Sequence, residues 1–311
     1  MKNSLLNSFR SLSFNKSKLL FIFLFFISIT GCSTVSQLAD IAGDLGVVDK
    51  RVAQSVSETS TALGKAVEEI TPEQEYYIGR AVAGTILEKY KLYKSPAVEK
   101  YLNEICGAIT VNSDKPVLYK GYYVAILDTD EVNAFATSGG HILISRGLLS
   151  CAESEDALAA VIAHEVSHIQ LQHSIKAIKS SRATDALVKT ANTAYTLKTD
   201  GNSNEVMDGF ADSVGDIINT MVESGYSKQQ EFDADKKALS LMNDAGYDPN
   251  AMKDMLTLLK VRQAGQHAGF SKTHPSPDAR LSNLKDEYKN YSSYTDRSIR
   301  IKRFNAAMRS L

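Results

Sequence analysis

Apolar and polar positions divide the chain into helices, a short β-rich stretch and more helices. Thr71-Pro72-Glu73 offers an N-cap residue, a first-turn proline and an acid at the positive end of a helix dipole. It predicts a helix to about Tyr93. Ser95-Pro96 starts a second, to about Thr110, with Val98, Leu102, Ile105 and Ile109 at helical spacing. Lys115-Pro116 ends this region. Tyr122 to Leu127, Asn133 to Thr137 and His141 to Ser145 read as strands, the last two joined by the turn signal Ser138-Gly139-Gly140. An apolar helix begins near Ser154 and runs to about Ile175. Residues 176–204 read as a loop and Val206 to Glu223 as a helix. Ser227-x-x-Gln230 is a capping box opening a helix to about Ala245. Gly246-Tyr247-Asp248-Pro249 stops it and starts the next, to about Arg262. His274-Pro275-Ser276-Pro277 is extended, because residues before proline avoid the α region. A short helix follows to about Tyr288, and the basic residues 291–311 read as a solvated tail. The class is α+β: mainly helical, with a small sheet beside the buried helix at 154–175.

The first residues read as an address, not as fold. Lys2, Arg10, Lys16 and Lys18 accompany an apolar run from Leu19 to Ile29, too short to span a bilayer as a helix. Ile29-Thr30-Gly31-Cys32 then puts small residues before a cysteine. The combination resembles a bacterial lipoprotein signal. It implies removal of residues 1–31, a lipid on Cys32 and, with Ser33 following, the outer membrane facing the periplasm. An uncleaved anchor with an incidental cysteine is the competing reading. Residues 32–71 read as a partly helical tether, or as a segment packed through Val35, Leu38, Leu45, Val52 and Val56.

Loss of those four cations takes the formal charge from −1 to −5 and leaves 280 of the 311 residues, enough for one core. A mildly acidic chain is not a nucleic-acid binder. Cys106 and Cys151 leave a disulfide open in an oxidising compartment, although Cys106 sits in an apolar pattern that suits a buried thiol.

The chemistry centres on His164-Glu165-Val166-Ser167-His168. Helix positions four apart share a face, so both imidazoles can meet one metal ion, with Glu165 at the rim as a base for its water. Catalytic zinc takes three protein ligands and keeps one position open. Leu171 and Ser174 stand where a metzincin would have Gly and His. His173 lies five residues past His168, about 140° off the metal-facing stripe, and is expected at the surface. Glu231 is the better third ligand, and Asp235 on its face would accept a hydrogen bond from a ligating histidine. A solvated acidic first turn explains the same residues equally well.

His164-Glu165-x-x-His168 with Glu231-x-x-x-Asp235 resembles the M48 family of zinc metallopeptidases, which are gluzincins. So do Asn133-Ala134-Phe135-Ala136, Gly139-Gly140-His141-Ile142, Arg146-Gly147-Leu148-Leu149, Gly225-Tyr226-Ser227, Ala245 to Pro249, and His274-Pro275 followed by Arg280. The likeness covers about residues 72 to 288. It implies a zincin-like metalloprotease domain at 72–290 of the short lipoprotein type, without helical repeats. It also implies one Zn2+ per chain on His164, His168 and Glu231, and a zinc-activated water with Glu165 as general base. His274 and Arg280 would lie at the catalytic site. His274 would stabilise the oxyanion, or join as a fourth ligand and close the site. Gly139 to Ser145 resembles the family's edge strand, so Gly139, Gly140, His141 and Ile142 would hold substrate as an added strand. The expected function is hydrolysis of misfolded or misassembled envelope polypeptides, with residues 176–204 as a lid. The alternative is a chaperone-like, client-binding lipoprotein with a gated or structural zinc, which would not need Glu165.

Overall fold

The computed structural model describes residues 70–177, 225–263, 274–294 and 297–311, with isolated positions between 37 and 57 and between 215 and 220. The signal segment, Cys32, most of the tether, residues 178–204 and most of the helix expected at Val206 to Glu223 lie outside the described residues. Contacts divide the chain into two units, Met1–Glu69 with Lys179–Asn202 and Ile70–Ile178 with Ser203–Leu311; the second carries the site.

Its described elements, in order, are α1 (Pro72–Lys89), α2 (Pro96–Val111), β1 (Tyr123–Leu127), β2 (Ala134–Thr137), β3 (His141–Ser145), α3 (Arg146–Cys151), α4 (Glu155–Gln170), α5 (Lys228–Asp244), α6 (Asn250–Gln263), α7 (Pro277–Leu284), a 3-10 helix (Glu287–Asn290) and α8 (Ser298–Met308). Local chemistry sets the starts. Thr71 with Gln74, and Ser227 with Gln230, close capping boxes at α1 and α5. Ser154 caps α4 by accepting from the Ala157 N–H.

The sheet runs β1-β3-β2, with β1 parallel and β2 antiparallel to β3. Side chains alternate between two apolar layers. Val124, Ile126, Ile142 and Ile144 join the core shared with α2, α4, α5 and α6, while Ala125, Leu127, Phe135 and Leu143 meet Ile78, Val82 and Ile86 of α1. Burial on both faces explains why these strands read as apolar runs without polar alternation.

The sheet order corrects the substrate-strand expectation. β3 pairs on both sides, so Gly139, Gly140, His141 and Ile142 offer no free strand edge. Gly139 (φ +79°) and Gly140 (φ +104°) shape the turn instead. A Cβ on Gly139 would meet the Tyr76 Cα at 2.4 Å, and one on Gly140 the Gly121 O at 2.1 Å. Ile142 is core, and the His141 ring lies against Tyr76. β1 is also closed: the Asn103 amide exchanges hydrogen bonds with the Val124 backbone, and Leu92 bridges Leu127. Among the described residues the remaining edge strand is β2: the Ser145 N–H donates to the Asn133 carbonyl, so alternation turns the backbone of Ala134 and Ala136 away from β3, and the Ala134 N–H is held by the Asn133 side chain.

The basic residues beyond 291 are not a solvated tail. Arg303 donates to the buried Glu155 carboxylate, which Tyr101 and Tyr247 also reach at 3.0 and 3.3 Å. Arg300 lies 3.3 Å from Asp156, and Arg297 donates to Asp248. α8 thus clamps the first turn of α4. Cys106 and Cys151 are both free and buried, and burial pushes the Cys106 thiol up to about 12. Among the described residues no helix is long and apolar enough to cross a membrane.

Candidate active site

The site is built on α4, all sixteen of whose residues are buried. His164 and His168 project one turn apart, with Nε2 atoms 3.1 Å from each other. α5 packs along α4 and delivers Glu231 from its first turn. Glu231 Oε2 lies 3.5 Å from His164 Nε2, and Oε1 lies 3.4 Å from His168 Nε2. His274, just before α7, sets its Nδ1 2.8 Å from Glu231 Oε2. One donor atom from each of these four residues lies within 4.8 Å of the others. Glu231 and Asp235 are both 0% exposed, so the solvated-turn reading does not hold.

Behind the donors stands a second row. Asp235 Oδ1 lies 2.9 Å from His164 Nδ1, and Arg280 grips that carboxylate through Nε at 2.9 Å and Nη2 at 2.5 Å. Arg280 therefore holds Asp235 against His164. Burial would raise the Asp235 carboxyl, but Arg280 and His164 outweigh it and keep it below its usual range.

The charge balance suits a cation. Burial alone would raise Glu231, yet His274, His168 and His164 hold its carboxyl well below the ordinary value. Burial pushes Glu165 up, opposed by His164, His274 and Arg280. Glu165 Oε1 and Glu231 Oε1 are buried with no hydrogen-bond partner among the described residues. Such an orphan oxygen costs about 1–3 kcal/mol, and a divalent ion held between the donors would give Glu231 a partner.

The sequence reading missed two contacts. His173 is 1% exposed, and its Nδ1 lies 2.9 Å from His168 Nδ1. The 100° rule fails there because α4 ends at Gln170 and Gln172 turns to φ +56°. Tyr226 stacks on the His168 ring, centroids 4.5 Å apart and planes 21° apart. An aromatic just before a capping box was the available signal.

Paired histidines one helical turn apart, an intervening glutamate and a buried glutamate from a second helix define a metallopeptidase of the His-Glu-x-x-His class. Peptidase family M48 matches residues 96–288, and the chain belongs to that family. It is 22% identical to the beta-barrel assembly-enhancing protease of Escherichia coli K12 over 255 residues, covering 81% of this chain and 50% of that one. The mitochondrial metalloendopeptidase OMA1 of Schizosaccharomyces pombe is 31% identical over 156 residues, or 50% and 43% of the two chains. The metalloprotease LoiP of Escherichia coli K12 is 26% identical over 196 residues, or 62% and 72%. The chain spans about half the length of the beta-barrel assembly-enhancing proteases. Family membership implies a metal cofactor, and the four-donor cluster fits one.

Proposed function

We propose that this chain is a zinc-dependent endopeptidase, held in the bacterial envelope by a lipid on Cys32 and acting on misfolded or misassembled envelope polypeptides. The observation that carries it is the convergence of His164, His168 and Glu231 beside Glu165. The two Nε2 atoms and the Glu231 carboxylate would hold one Zn2+ per chain; softer or harder ions suit this mixed N/O set less well. Bound there, zinc would supply a Lewis acid that acidifies water and polarises a carbonyl.

The protein's own groups do the rest. Glu165 takes a proton from the water that adds to the scissile carbonyl and returns it to the departing amine. Asp235, backed by Arg280, holds His164 with its Nε2 lone pair toward the donors. His274 donates to the developing oxyanion when its ring turns from Glu231. A substrate backbone pairs with β2, the outer strand of the sheet among the described residues. The names of the beta-barrel assembly-enhancing relatives support envelope proteins as substrates, and the Lys/Arg-preceded apolar run leading to Thr30-Gly31-Cys32 supports the anchor. We assign the peptidase domain to residues 72–290, with α8 docked on it through Arg300 and Arg303.

One observation favours the second reading, a client-binding lipoprotein with a gated zinc. His274 stands among the donors, and four protein ligands leave no position for water. Purified full-length protein incubated with casein separates the two. Turnover abolished by o-phenanthroline is the expected result. A zinc-loaded protein that retains unfolded casein without cleaving it would favour the gated reading.

A further inference from the structure

The two candidate ligand histidines are backed by different chemistry. His164 Nδ1 faces the Asp235 carboxylate, while His168 Nδ1 faces another imidazole, His173 Nδ1, at 2.9 Å. Two ring nitrogens at that distance share one proton, so one donates and the other accepts. His168 Nε2 points at His164 Nε2 and Glu231 Oε1, at 3.1 and 3.4 Å. For that Nε2 to offer a lone pair in a neutral ring, the His168 proton must sit on Nδ1. His168 then donates, His173 Nδ1 accepts, and the His173 proton is on Nε2.

The chain spends conformational energy to bring this about. Gln172 takes φ +56°, a left-handed region that non-glycine residues occupy only where the surroundings hold them there. Here they do: the Gln172 amide donates to Glu75 at the start of α1. The reversal folds His173 back beneath α4. Tyr226 completes the clamp, stacked on His168 with its ring centroid 5.7 Å from that of His173.

We infer that His173 is a positioning residue for His168, a neutral acceptor that fixes the ring's tautomer and aims its Nε2 at the metal. This rests on the metal reading proposed above. A neutral partner orients the ligand without adding negative charge next to Glu231, whereas a carboxylate would make His168 a stronger donor and the cation a weaker Lewis acid.

The test compares full-length wild type with His173→Asn and His173→Leu. Asn puts an acceptor where Nδ1 stood, and Leu is its apolar near-isostere. Three readouts are taken: zinc affinity by chelator competition, the visible spectrum of the cobalt-loaded protein, and the melting temperature of the metal-stripped protein. The Leu variant is expected to bind zinc about 10–100-fold more weakly and to show an altered cobalt spectrum, the range for loss of a partner behind a metal ligand. The Asn variant stays near wild type, and the metal-free proteins melt together. Wild-type zinc affinity in the Leu variant, or equal loss in both, overturns the inference while leaving the zinc site intact. A wild type that binds no zinc overturns the metal reading, and this inference with it.

Discussion

Glu165→Gln is expected to lose casein turnover by about a thousandfold or more while keeping its zinc. A positioned general base contributes roughly 10²–10⁴ in rate, or about 1.4 kcal/mol per factor of ten. Glutamine has the shape of glutamate, so α4, whose residues are all buried, need not repack. Glu165 is not among the four converging donors, so the metal should stay. Its buried Oε1 has no hydrogen-bond partner among the described residues, as suits a carboxylate kept for a proton in transit. Chelator-sensitive turnover near the wild-type rate in this variant would remove Glu165 from the mechanism.

Glu231→Ala is expected to weaken zinc binding by well over a hundredfold, more than loss of a supporting partner would. Glu231 supplies the only carboxylate of the donor cluster, and three buried histidine rings face it. Without it, no anionic ligand remains to offset the desolvated dication. Equilibrium dialysis with metal analysis reads the effect directly. Unchanged zinc in the variant would move the third ligand elsewhere, His274 being the nearest substitute at 2.8 Å from Glu231.

What the sequence made legible had fixed geometry. His164 and His168 lie four apart on one helix, and Glu231 and Asp235 four apart on another, so periodicity sufficed to put each pair on one face. The Thr71 cap, the Ser227-x-x-Gln230 capping box and the three strands followed from equally local rules. The failures share a cause: they depend on where elements stop or how they are ordered. His173 was sent to the surface because the helical angle was carried past Gln170, through a left-handed residue that no propensity announces. The substrate strand was put on β3 by resemblance to a family edge strand, but sheet order is a long-range property: β1 reaches β3 across the chain while β2 takes the edge. Residues 298–308 looked like tail because α8 has no fully buried residue. Arginine pairing to Glu155, Asp156 and Asp248 docks it, and only tertiary structure reveals those partners. The short α3 was lost between strand and helix signals.

The central claim is that side chains from two helices meet on one divalent ion. Anomalous diffraction from crystals of the full-length protein, recorded on either side of the zinc absorption edge, tests it most directly. The account predicts a single zinc peak about 2.0–2.2 Å from His164 Nε2, His168 Nε2 and a Glu231 oxygen. A zinc-loaded crystal with no peak among those three side chains, or with its zinc bound elsewhere, would contradict it.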